Sequence, residues 1–367
     1  MERNELVTFK EKISPFLLQK LSWLAEKFGP NSYEYQGLAR QYLKTDLEVS
    51  ETAENNVKHW EADVANREIS DYNLLGIERL YRRTLVIDLT LACAAHCRYC
   101  LRGLYTPHTM DQDEIIKVAK YCGSPELRDD LNEVLITGGD PFLIPNRLNF
   151  LIESLMRYAP NILIMRIATR LPQHDPNRVG NSILEIFKNK PGIKFEIATQ
   201  TNHPIEFFPE VRECFSRIME FVPAVYSQNV LLKGVNDNLD ILIELYDTMR
   251  FLGIEPHYLF HAVPLRGTHH FRTSVEKGLN LAKAISSSGV FSGRAKPQYA
   301  AMTDIGKITF YEGTILKKDE QNNRLLLQSH YKLEDRLKWN PSWQLPRTAK
   351  VNEKGYLQVW YLDGEDS

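Results

Sequence analysis

Between about residues 83 and 287 short β-branched runs alternate with amphipathic stretches of helical length, and no other feature limits the possible folds as tightly. TLVIDL (84–89), EVLIT (133–137), ILIMRIA (162–168), KFEIAT (194–199), YSQNVLL (226–232) and PHYLFHAV (256–263) read as strands. Segments 111–121, 147–158, 181–189, 207–220, 238–251 and 273–287 carry apolar residues at helical spacing. Six strand–helix units in succession predict a mixed α/β fold with a parallel sheet and right-handed crossovers. About 200 residues is short for eight units, which take about 250. The expectation is an open, partial (β/α)6 barrel with its chemistry beyond the carboxyl ends of the strands.

The flanks have a different texture. Residues 1–80 read as an N-terminal helical region: FLLQKLSWLAEKF (16–28) has helical periodicity and stops before Gly29-Pro30, and the polar, acidic stretch 45–70 reads as a solvated helix. With 81–305 as the core, 306–367 reads as a small β-rich extension. Its strands are KITFYEGTIL, RLLLQSHY and GYLQVWYL (355–362), with the aromatic KWNPSWQLP (338–346) as a packed loop. The extension is expected as a flap over the barrel mouth or at a dimer contact.

The loop after the first core strand holds three of the five cysteines, Cys93, Cys97 and Cys100, spaced C-x3-C-x2-C. Thiolates are the usual ligands of iron–sulfur clusters, and three in one loop can face a common centre. A [4Fe–4S] cube held by three cysteines keeps one iron open, as a catalytic zinc keeps an open position. A structural zinc site would need a fourth ligand, normally in a second pair. Cys122 and Cys214 lie far away in the sequence, and His96 sits inside the same loop. Disulfides are disfavoured, because five cysteines leave one over and nothing marks the chain as secreted.

Charge excludes other classes. Lys plus Arg at 45 and Asp plus Glu at 47 give 45 − 47 = −2, with no basic block, so nucleic acid is not an expected partner. The start, MERNELVTFKEK, is charged where a signal peptide would be apolar, and no run approaches 18 apolar residues. A soluble, cytoplasmic protein with no membrane partner is the expectation.

The cysteine spacing, with Tyr99 in the aromatic slot before the last cysteine, resembles the signature of the radical S-adenosylmethionine (SAM) superfamily, in which SAM chelates the open iron. TGGDP (137–141) ends the second strand and resembles that superfamily's GGE-type motif. There Gly138, Gly139 and Asp140 would grip the ammonium of SAM. CRYCLRGLY, LITGGDPFL, RIATRLP, TQTNHPIEF, QNVLLKGVNDN, YLFHAVPLRGTHHFR and SGRAKP occur in the order seen in the lysine 2,3-aminomutase family, over about 80–305. That resemblance implies that His203 and Gln228 point at SAM; spacing alone would read each as a polar residue satisfied at a strand end. It also implies reductive cleavage of SAM to a 5′-deoxyadenosyl radical that takes hydrogen from the substrate. A lysine-bound pyridoxal phosphate (PLP) then carries the migrating nitrogen.

Three positions depart from the family. The region after SGRAKP, AAMTDIGKI, is shortened and leaves Lys307 as the well-placed candidate for the PLP lysine. The phosphate-anchoring arginine aligns near Thr84, with Arg82 and Arg83 adjacent. The aspartate that reads a lysine side chain is replaced at about Val263. Arg102 keeps the family's substrate-carboxylate arginine, whose fork matches a carboxylate. Asp304 is a candidate substrate contact or a turn residue. The resemblance therefore implies an aminomutase-like isomerase, acting on a free amino acid other than lysine or on a peptide-bound or natural-product amino acid. An electron donor such as flavodoxin or ferredoxin and a homo-oligomer would accompany it. The alternative is a PLP-independent radical SAM epimerase or dehydrogenase, or another rearrangement of an amino-acid, peptide or natural-product substrate.

Overall fold

The computed structural model describes residues 9–50, 74, 76–103, 105, 107–341 and 343–366. The solvated helix expected over 45–70 lies outside the described residues from 51 onward; Leu47–Ser50 forms one short helical turn.

Among the described residues the main sheet has nine strands: β1 (Ile77–Glu78), β2 (Thr84–Thr90), β3 (Glu133–Gly138), β4 (Ile164–Ala168), β5 (Lys194–Thr199), β6 (Val225–Leu231), β7 (Glu255–His261), β8 (Gln298–Thr303) and β9 (Gly306–Thr309). Their spatial order is their order in the chain, and β2 to β8 are parallel. Sequential order with right-handed crossovers puts every connecting helix on one face and makes the sheet curl round the other. Side chains sort accordingly, with period two. Val134, Ile136, Met165, Ile167 and Leu259 are fully buried, whereas Leu135, Thr137, Arg166, Ala168, Gln228, Val230, Tyr258 and Phe260 line a cleft.

All six expected strands form. Of the expected helices, 181–189 instead breaks into two short turns, Asn181–Leu184 and Glu185–Phe187. Three further strands, β1, β8 and β9, lengthen the sheet, and β9 takes the start of KITFYEGTIL, which was expected in the extension. QYAAMT has few β-branched residues, so its strand signal is weak. Pairing with β7 on one side and β9 on the other makes it a strand all the same. The boundary expected at 305 falls inside the tight turn between β8 and β9, and the sheet runs on to Thr309.

A separate antiparallel sheet is ordered β10 (Ile315–Asp319), β11 (Arg324–Lys332), β13 (Tyr356–Leu362), β12 (Ala349–Val351). None of its residues lines the cleft. It grips the β8–β9 hairpin from behind: Tyr331 donates to the carbonyl of Lys307 at 2.7 Å, and Arg336 on the helix Leu333–Trp339 donates to that of Ile305 at 2.8 Å. At the other end of the chain, helices Pro15–Phe28 and Tyr33–Tyr42 brace the cysteine loop. Lys12 donates to the carbonyl of Cys93 at 2.6 Å, the Arg98 amide to that of Gln41 at 2.9 Å, and buried Arg98 pairs with Glu48. No described helix is long and apolar enough to cross a membrane.

Candidate functional site

One cleft of about 330 Å³, on the inner face of the sheet, is lined by Cys93, Cys97 and Cys100 together with Tyr99, Arg102, Gly138, Gly139, Asp140, Gln228 and Lys307. His203 and Asp304 are not among its lining residues.

The cysteine loop lies against the Gly-Gly-Asp turn backbone to backbone. The amide of Gly139 donates to the carbonyl of Thr90 at 2.5 Å and that of Asp140 to Ala92 at 2.8 Å. A Cβ on Gly138 would collide with the carbonyl oxygen of Thr90, and one on Gly139 with that of Ala92; Gly138 also has φ +108°. Only glycine permits this approach. Asp140 turns inward rather than standing free: it accepts from the Thr169 hydroxyl at 2.8 Å and from the amides of Arg170 at 2.9 Å and Phe142 at 3.1 Å. Burial outweighs these bonds and lifts its carboxyl to about 6.

Burial pushes the Cys93 thiol well up and that of Cys100 to about 11. A thiolate there needs a cation, and a cluster metal supplies one. At Cys97 the protein contributes its own: Arg170 donates from Nη1 to Sγ at 2.8 Å, and His174 Nε2 lies 3.8 Å from the same sulfur. Arg170 is fixed by Glu206 at 2.6 Å and by the Tyr99 hydroxyl at 2.6 Å, which also takes a bond from Asn202. Tyr99 in turn donates to Gln41 on the second N-terminal helix at 3.1 Å. The donor set, three free cysteines on one wall, fits an iron–sulfur cluster. Among the described residues no three His, Cys, Asp or Glu converge closely enough for a single metal ion.

Two expected SAM contacts part company. Gln228 lines the cleft, as its place in the alternation of β6 requires. His203 instead begins the turn Pro204–Glu206, accepts from the Ile205 amide at 3.2 Å and lies 4.6 Å from the Tyr33 ring, against Gly37. Burial lowers it to about 3, so it is neutral. Gln200, one residue beyond the end of β5, reaches the cleft in its stead.

At the far edge of the sheet Lys307 projects inward from β9. Its Nζ donates to the Tyr258 hydroxyl at 2.7 Å and lies 5.8 Å from the Tyr81 ring centroid. Burial, helped by Arg166 and opposed by Glu133, brings its pKa down to about 8. Asp304 occupies the hairpin turn, outside the cleft lining, and accepts from Thr348. Neither Arg82 nor Arg83 lines the cleft; Arg82 pairs with Asp130 outside it. Arg166 lines it beside Lys307, paired with Glu133.

Arg102 lines the cleft but is already engaged. Nε donates to Asp88 at 3.0 and 3.1 Å, and Nη2 donates to Glu78 at 2.9 Å. Burial works against the charge, yet the two carboxylates hold its pKa well above the ordinary value. Arg166, Arg170, His174, Gln200 and Tyr258 were not singled out by sequence reasoning. RIATRLP was a visible motif, but nothing in it says that Arg170 would reach a cysteine sulfur.

No family model matches the chain. A putative L-lysine 2,3-aminomutase of Aquifex aeolicus is 32% identical over 237 residues, covering 63% of this chain and 62% of that protein. The L-lysine 2,3-aminomutase of Fusobacterium nucleatum is 28% identical, covering 63% and 54%, and the glutamate 2,3-aminomutase of Clostridioides difficile is 27% identical, covering 61% and 52%. The chain thus spans between half and two-thirds of the length of these relatives. A radical SAM methyltransferase from Sphaerobacter thermophilus superposes with a TM-score of 0.44 at 17% identity, covering 61% of this chain and 68% of that one. The chain is thus similar, over part of their length, to lysine and glutamate 2,3-aminomutases.

Proposed function

We propose that the chain is a radical SAM enzyme that moves an amino group between neighbouring carbons of an amino-acid substrate. One observation carries the reading. The three cysteines and a lysine of pKa about 8, contributed from opposite ends of the sheet order, line the same cleft. Cys93, Cys97 and Cys100 would hold the [4Fe–4S] cluster, the Gly138–Asp140 turn with Gln200 and Gln228 would seat SAM, and Lys307 would hold PLP. When bound, the cluster with SAM supplies hydrogen abstraction, and PLP supplies a carrier for the migrating nitrogen.

The chain's own contribution is positioning. Arg170 holds the Cys97 sulfur as a charge-assisted donor. Tyr258 holds the Lys307 amine at 2.7 Å. At pH 7 an amine of pKa about 8 is neutral in about one molecule in ten, against about one in three thousand at the ordinary 10.5. A neutral amine is the form that can attack a carbonyl. Arg166 is the cation nearest to hand for the PLP phosphate, in place of Arg82 and Arg83. Arg102 would present its guanidinium edge to a substrate carboxylate. An electron donor of the flavodoxin or ferredoxin class and a homo-oligomer complete the proposal.

A second reading, a PLP-independent epimerase or dehydrogenase, draws on the pairing of Arg166 with Glu133, which weakens a phosphate site. Anaerobic reconstitution, strong reductant and product analysis should yield 5′-deoxyadenosine and methionine. Borohydride trapping with PLP should modify Lys307 and fail in Lys307→Ala. Substrate turnover without PLP would turn the reading to the second; no SAM cleavage by fully reconstituted protein would sink both.

A further inference from the structure

We infer that the substrate is an amino acid with an apolar side chain of about leucine to phenylalanine size. The inference deepens the proposed function and rests on Lys307 marking where the reacting carbons lie. Beside that lysine the cleft wall turns apolar. Leu80, Tyr81, Leu101, Val263 and Met302 all line it, and with buried Leu265 they form a hydrophobic cluster separate from the main core. The cluster is assembled from four places: the segment after β1, the residue before Arg102, the loop after β7, and β8. Met302 is the register partner of Lys307 across the β8–β9 hairpin, and the Lys307 ammonium lies 5.8 Å from the Tyr81 ring centroid. Leu101 directly precedes Arg102. A side chain that leaves a carbon held between Lys307 and Arg102 therefore runs along this wall.

The charges of the cleft point the same way. A cationic side chain needs a carboxylate, and both carboxylates on the lining are engaged. Glu78 accepts from Arg102, and Asp140 accepts from Thr169 and two backbone amides. An anionic side chain needs a cation, and besides Lys307 and Arg102 the lining offers Arg166, paired with Glu133, and Arg170, paired with Glu206 and spent on Cys97. His261, also on the lining, has both ring nitrogens bonded, to Tyr361 at 2.7 Å and the Thr273 carbonyl at 2.8 Å, and burial keeps it neutral. A charged side chain would have to break an existing pair, whereas a methyl-rich or aromatic one displaces water from a surface that already repels it.

Isothermal titration of the reconstituted protein with leucine, phenylalanine, lysine and glutamate, in the presence of SAM and PLP, tests the inference. Leucine or phenylalanine should bind at least tenfold more tightly than either charged amino acid. Val263→Asp should cut that affinity about tenfold while raising the affinity for lysine, with thermal melting as the check that the variant folds. Equal or tighter binding of lysine or glutamate, or no binding of any of the four, overturns it. Borohydride trapping reports separately on the underlying reading. Protein that traps PLP at Lys307 but prefers lysine sinks the apolar wall alone. If PLP is not trapped, the nitrogen shift fails, and the same titration run with SAM only still decides the side-chain preference.

Discussion

The two ends of the cleft are built on different principles. At the cysteine end a loop, a Gly-Gly-Asp turn and a buried polar network of Gln41, Tyr99, Arg170, Asn202 and Glu206 interlock through hydrogen bonds. At the Lys307 end a hairpin presents one lysine over aromatic rings and an apolar wall. Directional bonds tolerate few substitutions, because a buried donor or acceptor left unmade costs about 1–3 kcal/mol. Apolar contact requires only shape, so the second end can be rebuilt for another substrate while the first stays as it is. The contrast parallels the sequence, in which the cysteine and Gly-Gly-Asp motifs resemble those of aminomutases while the three departures, at Thr84, Val263 and the stretch before Lys307, concern the proposed PLP and substrate contacts.

If the ends are separable, damage to one should leave the other working. The largest effect is expected for the triple replacement of Cys93, Cys97 and Cys100 by Ala. Iron after anaerobic reconstitution should fall from about four per chain to none, while borohydride still traps PLP at Lys307. A triple variant that keeps its full iron breaks the assignment of that end outright. Next is Gly139→Ala, whose added carbon meets the Ala92 carbonyl. It should cost about 3 kcal/mol in denaturant unfolding and most of the SAM cleavage, and wild-type behaviour in both would mean that the loop has room to move.

The smallest effect concerns acidity at the other end. Burial and Arg166 lower the Lys307 pKa, and Glu133 holds it up. PLP adduct formation should therefore rise about tenfold per pH unit below about 8 and level off above it. Glu133→Gln should move that midpoint lower, speeding adduct formation at pH 7 by less than tenfold without altering iron content. A midpoint near the ordinary lysine value, or one moved upward by the variant, would contradict the electrostatics described here.

Much of the fold was legible in the sequence because it depends on local periodicity. Six strands and their crossovers follow from alternation and helical spacing, which report on a residue's own neighbours. The C-x3-C-x2-C spacing was legible for the same reason: its three sulfurs lie within eight residues. Gly138 and Gly139 were seen as permissive, but only tertiary contact shows what they approach, the carbonyls of Thr90 and Ala92. Everything that turns on residues far apart in the chain was settled by the three-dimensional structure. It makes QYAAMT a strand, carries His203 away from the cleft and brings Gln200 into it, and sets Arg170 on Cys97 across 73 residues. It also gathers Leu80, Leu101, Val263 and Met302 into one wall. A side chain's direction at a strand end and its partner across a cleft depend on how the sheet curls, and the curl is a property of the whole set of strands.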